Sequence, residues 1–208
     1  MFKRWFLLIP LIAFILSCAA TVKTPIHKIV GSDTIRAKVV LKENPNIDFA
    51  YQKLAVREVE AKLLNKPVTV VIRSRLSGGE VDFVLITRKE VQKVYSTAPE
   101  EIVSVARASD TNVVIVVEPL KVKYDELVLE KDVEVCVIRS AKTLLSAKVF
   151  DGKRGDILMA GVYEGKEKAQ QCAKGIKRTD KLPSKDGIVL KAFKRSAEKF
   201  AKEFWKSL

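Results

Sequence analysis

The residues of this chain with the most distinctive chemistry are its three cysteines and its single histidine. Cys18 stands just after an apolar run, residues 5–16, that follows the basic residues Lys3 and Arg4. A basic start, an apolar run of about 12 residues and a small-residue exit are the layout of an export signal. A bilayer-spanning helix needs about 20 apolar residues, so the run is predicted to be removed after export rather than to span a membrane.

The sequence around the cysteine, residues 15–18 (ILSC), resembles a bacterial lipobox. The resemblance implies cleavage before Cys18 and diacylation of its sulfur, and two or three acyl chains hold a protein stably on a membrane. Ala19 and Ala20 follow, with no Asp in the position of an inner-membrane retention signal. The resemblance therefore implies an anchor in the inner leaflet of the outer membrane, with the protein facing the periplasm. The alternative is an ordinary secretory signal that happens to contain a cysteine.

The charge balance limits the classes of partner that an exported chain of this sequence is expected to bind. The sequence has 38 Lys and Arg against 25 Asp and Glu, a net charge of +13, which loss of Lys3 and Arg4 lowers by two. An excess of this size is typical of nucleic-acid binding, but an exported protein meets no nucleic acid. The predicted partners are the membrane, through the lipid, and an acidic envelope protein or acidic glycan. The alternative is a lysine-rich solvated surface of the kind found in heat-adapted proteins.

The sequence lacks the residues that catalysis or metal binding would need. His27 is the sole histidine and precedes the predicted domain, so a Ser or Cys nucleophile would have no histidine base inside it. Glu118, at the end of an apolar run, is the one carboxylate whose setting stands out, and a strand-end position explains it. Cys136 and Cys172 either pair in an oxidising periplasm or stay buried and reduced. Two cysteines without histidine neighbours do not make a zinc shell, so we expect no metal, no cofactor and no enzyme.

Hydrophobic patterning predicts one α+β domain over residues 34–208, after a signal peptide (1–17) and a lipidated tether (18–33). We expect a mixed sheet of about 4–6 strands with an antiparallel meander, packed by three or four helices including a C-terminal amphipathic one. The individual predictions are a strand at 35–41, a helix capped by Asp48, a hairpin around 77–79, a capping-box helix from Thr87, a helix from Pro99, a strand at 112–118, a meander from 120 onward that turns at 151–156, and a terminal helix over 188–208.

A lysine-rich segment, residues 165–187, shows no hydrophobic periodicity. It is predicted to be a loop insertion or a frayed helix that contains Cys172. Its basic side chains are the candidate contact surface for an acidic partner, and they are Lys166, Lys168, Lys174, Lys177, Arg178 and Lys181.

The order of elements resembles the curli-pore-subunit-like fold. The stretches that carry the resemblance are the lipobox, VDFVLITRKEVQKV, SDTNVVIVVEPLKV, VFDGKRGDIL and VLKAFKRSAEKFAKEF. This fold is shared by curli pore subunits, lipoprotein activators of bifunctional penicillin-binding proteins, and the N-terminal domain of the Tol-system propeller protein. In the turn that this fold writes Asp-x-x-Thr-Gly, Arg154 replaces the Thr.

The resemblance implies one of two non-enzymatic functions. The first is an envelope module that binds a protein to regulate it or to organise an assembly. The second is a subunit of an oligomeric secretion pore of the curli type. Charged residues such as Asp125, Glu130 and Asp132 interrupt the alternation that lipid-facing strands require, which favours the first. Sequence alone leaves the oligomeric state open.

Replacing the lipobox cysteine tests the predicted anchor. Cys18→Ala is expected to move the protein from the membrane fraction to the soluble fraction and to abolish labelling with a radioactive or clickable fatty acid, because no other atom is predicted to carry acyl chains. Cys172→Ala is the matched control and should leave both readouts unchanged. Membrane-bound, acylated Cys18→Ala protein would disprove the prediction.

Overall fold

The computed structural model describes residues 24–64, 69–73, 78–131, 134–174 and 182–208. We number the elements of these residues in chain order. The helices are α1 (Ile26–Val30), α2 (Phe49–Leu64), α3 (Pro99–Ser109) and α4 (Lys185–Ser207). The strands are β1 (Thr34–Lys42), β2 (Thr69–Arg73), β3 (Gly78–Ile86), β4 (Lys93–Val94), β5 (Val113–Lys131), β6 (Glu134–Asp151) and β7 (Ile157–Lys174). The predicted α+β class is confirmed.

The strands form one mixed sheet in the order β2-β3-β1-β5-β6-β7, and the two-residue β4 pairs with the end of β1. Strand β1 runs parallel to β3, β4 and β5, whereas β5, β6 and β7 form an antiparallel meander. Strands β2 and β3 pair antiparallel, as the predicted hairpin requires, with Arg73 opposite Gly78. Gly78 and Gly79, predicted in the turn, are instead the first residues of β3, and residues 74–77 lie outside the described residues. The predicted meander is also present, and its strands are 18 or 19 residues long.

Helices cover the two faces of the sheet unequally. Helices α2 and α4 pack on the face that we call the front, where alternate residues of β1 and β5 such as Val39 and Ile115 enter the larger core cluster. Helix α3 packs on the back, where Ile102 and Val105 meet Val116 and other residues of the smaller cluster. Among the described residues, helical cover of the back is therefore confined to its central part, around β1 and the start of β5.

Helix α4 is held to the front by an aromatic stripe. Phe193, Phe200 and Phe204 are fully buried. The ring of Phe204 lies 5.7 Å from that of Phe83 on β3, and the ring of Phe200 lies 5.5 Å from that of Tyr163 on β7. The helix therefore joins strands from the two sides of the sheet, as the periodic pattern of residues 188–208 predicts.

The turn between β6 and β7 requires a glycine. Gly155 has φ +76°, a conformation that side chains disfavour. A Cβ atom at Gly155 would lie 2.5 Å from the Cα of Pro99 at the start of α3. Arg154 donates through Nε to Asp151 Oδ2 at 2.8 Å, which closes the turn.

The capping box at Thr87 does not start a helix. Residues 87–92 are irregular, and Lys93 and Val94 pair with the end of β1. The backbone N–H of Leu41 donates to the carbonyl of Gln92 at 2.9 Å. Sheet pairing with β1 therefore outweighs the local capping signal, and the predicted short helix is wrong.

The predicted loop at residues 165–187 is also wrong over its first part. Strand β7 continues to Lys174, and α4 begins at Lys185 with Ser184 as its N-cap. Residues 175–181 lie outside the described residues. The strand lacks apolar periodicity here because pairing with β6, rather than burial against a helix, defines it.

The predicted tether extends too far along the chain. Helix α1 lies within it, and Ile26 and Val30 are buried in the larger core cluster. His27 bonds through Nδ1 to the carbonyl oxygen of the last residue, Leu208. The folded part of the chain therefore includes α1, and the predicted signal peptide and Cys18 lie outside the described residues.

Truncating the aromatic stripe is expected to destabilise the whole domain. Phe204→Ala should lower the free energy of unfolding by about 3–5 kcal/mol, because it leaves a cavity between α4 and β3. Urea denaturation followed by circular dichroism measures this change. Tyr95→Ala, at a residue that is 87% exposed, is the control and should change stability by less than about 0.5 kcal/mol. Equal effects of the two substitutions would contradict this packing.

Candidate functional site

The meander continues beyond the rest of the sheet as a three-stranded arm. We define the arm as residues 120–131 of β5, 134–144 of β6 and 164–174 of β7, which pair in continuous register. Strand β1 pairs with β5 only from Val113 to Val117, and a bulge between Pro119 and Lys121 follows. The arm extends about 36 Å at about 3.3 Å per residue.

A disulfide crosslinks the outer part of the arm. Cys136 of β6 lies directly opposite Cys172 of β7, and the two residues are joined through their sulfurs. Of the two alternatives that the sequence leaves open, the structure has the bonded one. Because the two strands cannot separate at this point, the arm is covalently closed near its tip.

Three lysines lie in one row across the back of the arm. Lys123 of β5 is opposite Lys142 of β6, and Lys142 is opposite Lys166 of β7. We call these residues the lysine row. Each of the three side chains is at least 41% exposed. Like charges directly opposite one another destabilise a sheet, so the row is an unfavourable arrangement unless anions neutralise it.

Two carboxylates of the chain neutralise part of the row. Glu164 accepts from Lys142 Nζ at 2.6 Å and from Lys166 Nζ at 2.5 Å. Asp125 lies 3.0 Å from Lys123 Nζ. Hydrogen bonds first from Lys142 and then from Lys166 lower the pKa of Glu164 to about 2. Two acids face three lysines, so the row keeps a positive excess.

A shallow depression of about 350 Å³ adjoins the row. Lys142, Lys166, Lys168 and Arg195 line it together with Glu167, whose carboxylate is 2.6 Å from Arg195. Four cations and one acid give the depression a net positive charge. The arrangement can hold carboxylate or phosphate groups through charge-assisted hydrogen bonds.

The structure brings together only part of the predicted contact surface. Lys166 and Lys168 are exposed on the back of β7. Lys174 is the last residue of β7, and Lys177, Arg178 and Lys181 lie outside the described residues. Sequence reasoning missed Lys123 and Lys142, because only strand register shows that they are neighbours of Lys166.

The residues considered for catalysis have structural partners. His27 bonds to Leu208, and Glu118 forms an ion pair with Lys42 at 3.1 Å. Among the described residues, Glu134 lies with Cys136 and Cys172 in a group of metal-ligand types, but the two sulfurs are bonded to each other and are not free thiolates.

The sequence did not indicate that two ionisable residues, Lys38 and Glu60, are buried. Lys38 on β1 and Glu60 on α2 are both buried. Burial lowers the pKa of Lys38, and Arg88 lowers it further. Burial likewise raises the pKa of Glu60. Within the apolar stretch IRAKVVL, no pattern distinguishes a buried lysine from an exposed one.

None of the helices in the described part of the chain is long and apolar enough to cross a membrane.

Fold and arm define a class, namely an α+β protein with one mixed sheet that continues as a disulfide-linked, three-stranded basic arm. The chain is 31% identical over 204 residues to an uncharacterized protein of Aquifex aeolicus strain VF5, which covers 95% of this chain and 96% of that protein. The chain therefore belongs to the same family as the Aquifex aeolicus protein. No protein-family model matches it.

Solved structures show more distant likenesses. A neuraminyllactose-binding hemagglutinin homolog from Helicobacter pylori is 16% identical, with a TM-score of 0.43 over 85% of this chain and 83% of that one. A hypothetical protein of Chlamydia trachomatis is 10% identical, with a TM-score of 0.37 over 64% and 72%. A minor lipoprotein of Acinetobacter baumannii is 8% identical, with a TM-score of 0.35 over 81% and 92%.

The low pKa of Glu164 provides a direct test of the lysine row. Carbon-detected NMR titration of its carboxyl should give a midpoint near pH 2, and Lys142→Met and Lys166→Met should each raise it towards the ordinary value. Because the folded pKa is depressed, the contribution of these contacts to stability is present above the unfolded pKa and is lost as pH falls towards 2. Lys168→Met, which leaves both contacts intact, is the control. An unshifted midpoint in the unsubstituted protein would show that the row is not assembled.

Proposed function

We propose that this protein is a lipoprotein of the bacterial envelope, anchored through Cys18, whose domain is a non-enzymatic binding module. Its function is to bind an acidic envelope protein in order to regulate or assemble it. The observation that carries the proposal is the lysine row with its adjoining basic depression. A row of like charges weakens the sheet by itself and becomes favourable when a partner supplies anionic groups.

The position of the arm supports a partner away from the anchor. Thr24 and Pro25, where the described chain begins, line a cavity with Met159 at the start of β7. Cys172, near the arm tip, is 13 residues further along the strand, or about 43 Å at about 3.3 Å per residue. The six residue steps from Cys18 to Thr24 span at most about 21 Å. Thr24, through which an anchor at Cys18 would be connected, therefore lies at the opposite end of β7 from the arm tip.

Because Ala19 rather than Asp follows Cys18, we place the proposed anchor in the inner leaflet of the outer membrane, with the arm in the periplasm. An acidic surface on the partner would be steered to the basic arm, and the association would weaken with salt. The runner-up is the pore subunit of the curli type. The arm favours the binding function over the pore function. Its exposed back has charged lysines, whereas strands that cross a membrane need a continuous apolar surface facing the lipid.

Charge reversal in the lysine row tests the proposed function. A photo-crosslinking amino acid at position 168 should give a protease-sensitive adduct in cells. Lys142→Glu/Lys166→Glu should reduce the yield of this adduct at least fivefold, because the surface then repels an acidic partner. Circular dichroism checks that the variant is folded, and Lys142→Gln/Lys166→Gln provides a milder form of the same test.

The matched control reverses two other exposed lysines. Lys191→Glu/Lys194→Glu makes the same change in net charge on the outer side of α4 and should leave the adduct unchanged. An adduct that resists protease would indicate an acidic glycan instead of a protein. Equal yields from the lysine-row variant and the unsubstituted protein would refute the proposed function.

A further inference from the structure

No strand of the described part of the chain pairs with the outer edge of the arm on the β5 side. Strand β5 pairs with β6 along the whole arm, but its pairing with β1 ends at Val117. Asn44 covers the next available group, donating through Nδ2 to the carbonyl of Pro119 at 3.0 Å. No other backbone hydrogen bond between the described residues reaches the outer edge of residues 120–131. This edge presents a row of open N–H and C=O groups about twelve residues long.

Exposed apolar side chains are concentrated on the same strand. Leu127, Val128 and Leu129 are each about half exposed, between 47% and 52%. Successive residues of a strand point to opposite faces, so this edge is apolar on both faces. The arm portion of β7, the other edge, instead exposes Lys166 and Lys168, which are the kind of side chain that blocks edge-to-edge pairing. The two edges of the arm thus differ, and only that of β5 has an open apolar stretch.

A cavity of about 450 Å³ lies beside the start of this edge. Leu120, Val122 and Tyr124 of β5 line one wall, and Ile47 and Tyr51 are among the residues that line the other. Tyr51 donates its phenol to Asp186 at 2.8 Å, and Tyr124 donates its phenol to Glu126 at 2.7 Å. Both phenol groups are therefore already hydrogen-bonded. Asn46, Asp48, Lys121 and Lys185 complete the lining, so the cavity combines apolar walls, which an apolar or aromatic side chain can contact, with charged groups.

We propose that an extended segment of a partner protein adds as a strand to the outer edge of β5 along residues 120–131. Main-chain hydrogen bonds would supply affinity, and alternate side chains would supply specificity. The segment would place an apolar side chain in the cavity beside Tyr51 and Tyr124, acidic side chains beside Lys121 and Lys123, and apolar side chains beside Leu127 and Leu129. This inference deepens the proposed function, since it names how the arm holds an acidic partner.

Charge complementarity favours an acidic partner segment over a second copy of this chain, because a second copy has the same basic excess, 38 Lys and Arg against 25 Asp and Glu. Self-pairings of β5 centred on residues 124 and 129 avoid like charges, whereas those centred on residues 126, 127 and 128 do not. An antiparallel pairing of β5 with itself, centred on residue 126, sets Glu126 opposite Glu126. Centring the pairing on residue 127 sets Lys123 opposite Lys131, and centring it on residue 128 sets Glu126 opposite Glu130. Like charges directly opposite each other are unfavourable in a sheet.

The test uses random 12-residue peptides displayed on phage and selected on the mature lipoprotein in detergent. A synthetic peptide from the selection should slow amide hydrogen exchange in residues 120–131 at least tenfold. Leu127→Lys/Leu129→Lys should raise its Kd at least tenfold, because edge lysines oppose strand addition. Val162→Lys, at an equally exposed apolar residue of β7, is the matched control and should change Kd less than twofold.

A gentler variant, Leu127→Thr/Leu129→Thr, keeps the test valid if the lysine variant unfolds, and it should raise Kd at least threefold. Failure to select any peptide, protection outside residues 120–131, or equal Kd values for the edge variants and Val162→Lys would overturn the inference. A dimer in light scattering that Leu127→Lys/Leu129→Lys dissociates would also overturn it, in favour of a second copy. If the crosslinks at position 168 still depend on the lysine row, the proposed function stands without this binding mode.

Discussion

The packing of α4 against the front of the sheet is the contact on which the rest of the structure depends. Phe200 meets Tyr163 of β7, and Phe204 meets Phe83 of β3, so one helix spans strands that lie on the two sides of β1. Each fully buried aromatic side chain contributes about 1.5–3 kcal/mol relative to an exposed one. The carbonyl of Ala192 lies so near Gly165 that a Cβ atom there would be 1.9 Å away. This approach brings the helix against the base of the arm.

Because α4 fixes the body of the sheet, the meander can extend beyond it. In the body, β5 lies between β1 and β6, with helices on both faces. Beyond the bulge after Pro119, β5 no longer pairs with β1. The three strands of the arm are held together there by pairing with one another and by the disulfide. The arm thus combines exposed charge, exposed apolar side chains and an open strand edge. These three properties are costly for an isolated protein, and each of them becomes favourable in a complex.

Sequence patterns located the elements whose own periodicity matches their environment. The terminal helix has apolar residues at helical spacing because one face is buried, and Asp48 begins α2 because its carboxylate accepts the backbone N–H of Ala50 at 2.7 Å. The patterns gave wrong predictions where hydrogen bonding to a neighbouring strand, rather than burial of an apolar face, stabilises the element. The stretch KEKAQQCAK looks like a loop, yet it forms a strand because β6 supplies its hydrogen bonds. The capping box at Thr87 failed for the same reason, since β1 pairs with Lys93 and Val94.

The sequence by itself determined the α+β class and the basic charge, because both follow from local composition or spacing, and it predicts an export signal and a lipidation motif on the same kind of local pattern. Tertiary structure alone decided which lysines form a row, which strand edge stays open and that α1 belongs to the core. The contact between His27 and Leu208 joins residues 181 positions apart. Strand order, register and such distant contacts depend on how separate segments meet in space, and no local pattern encodes that meeting.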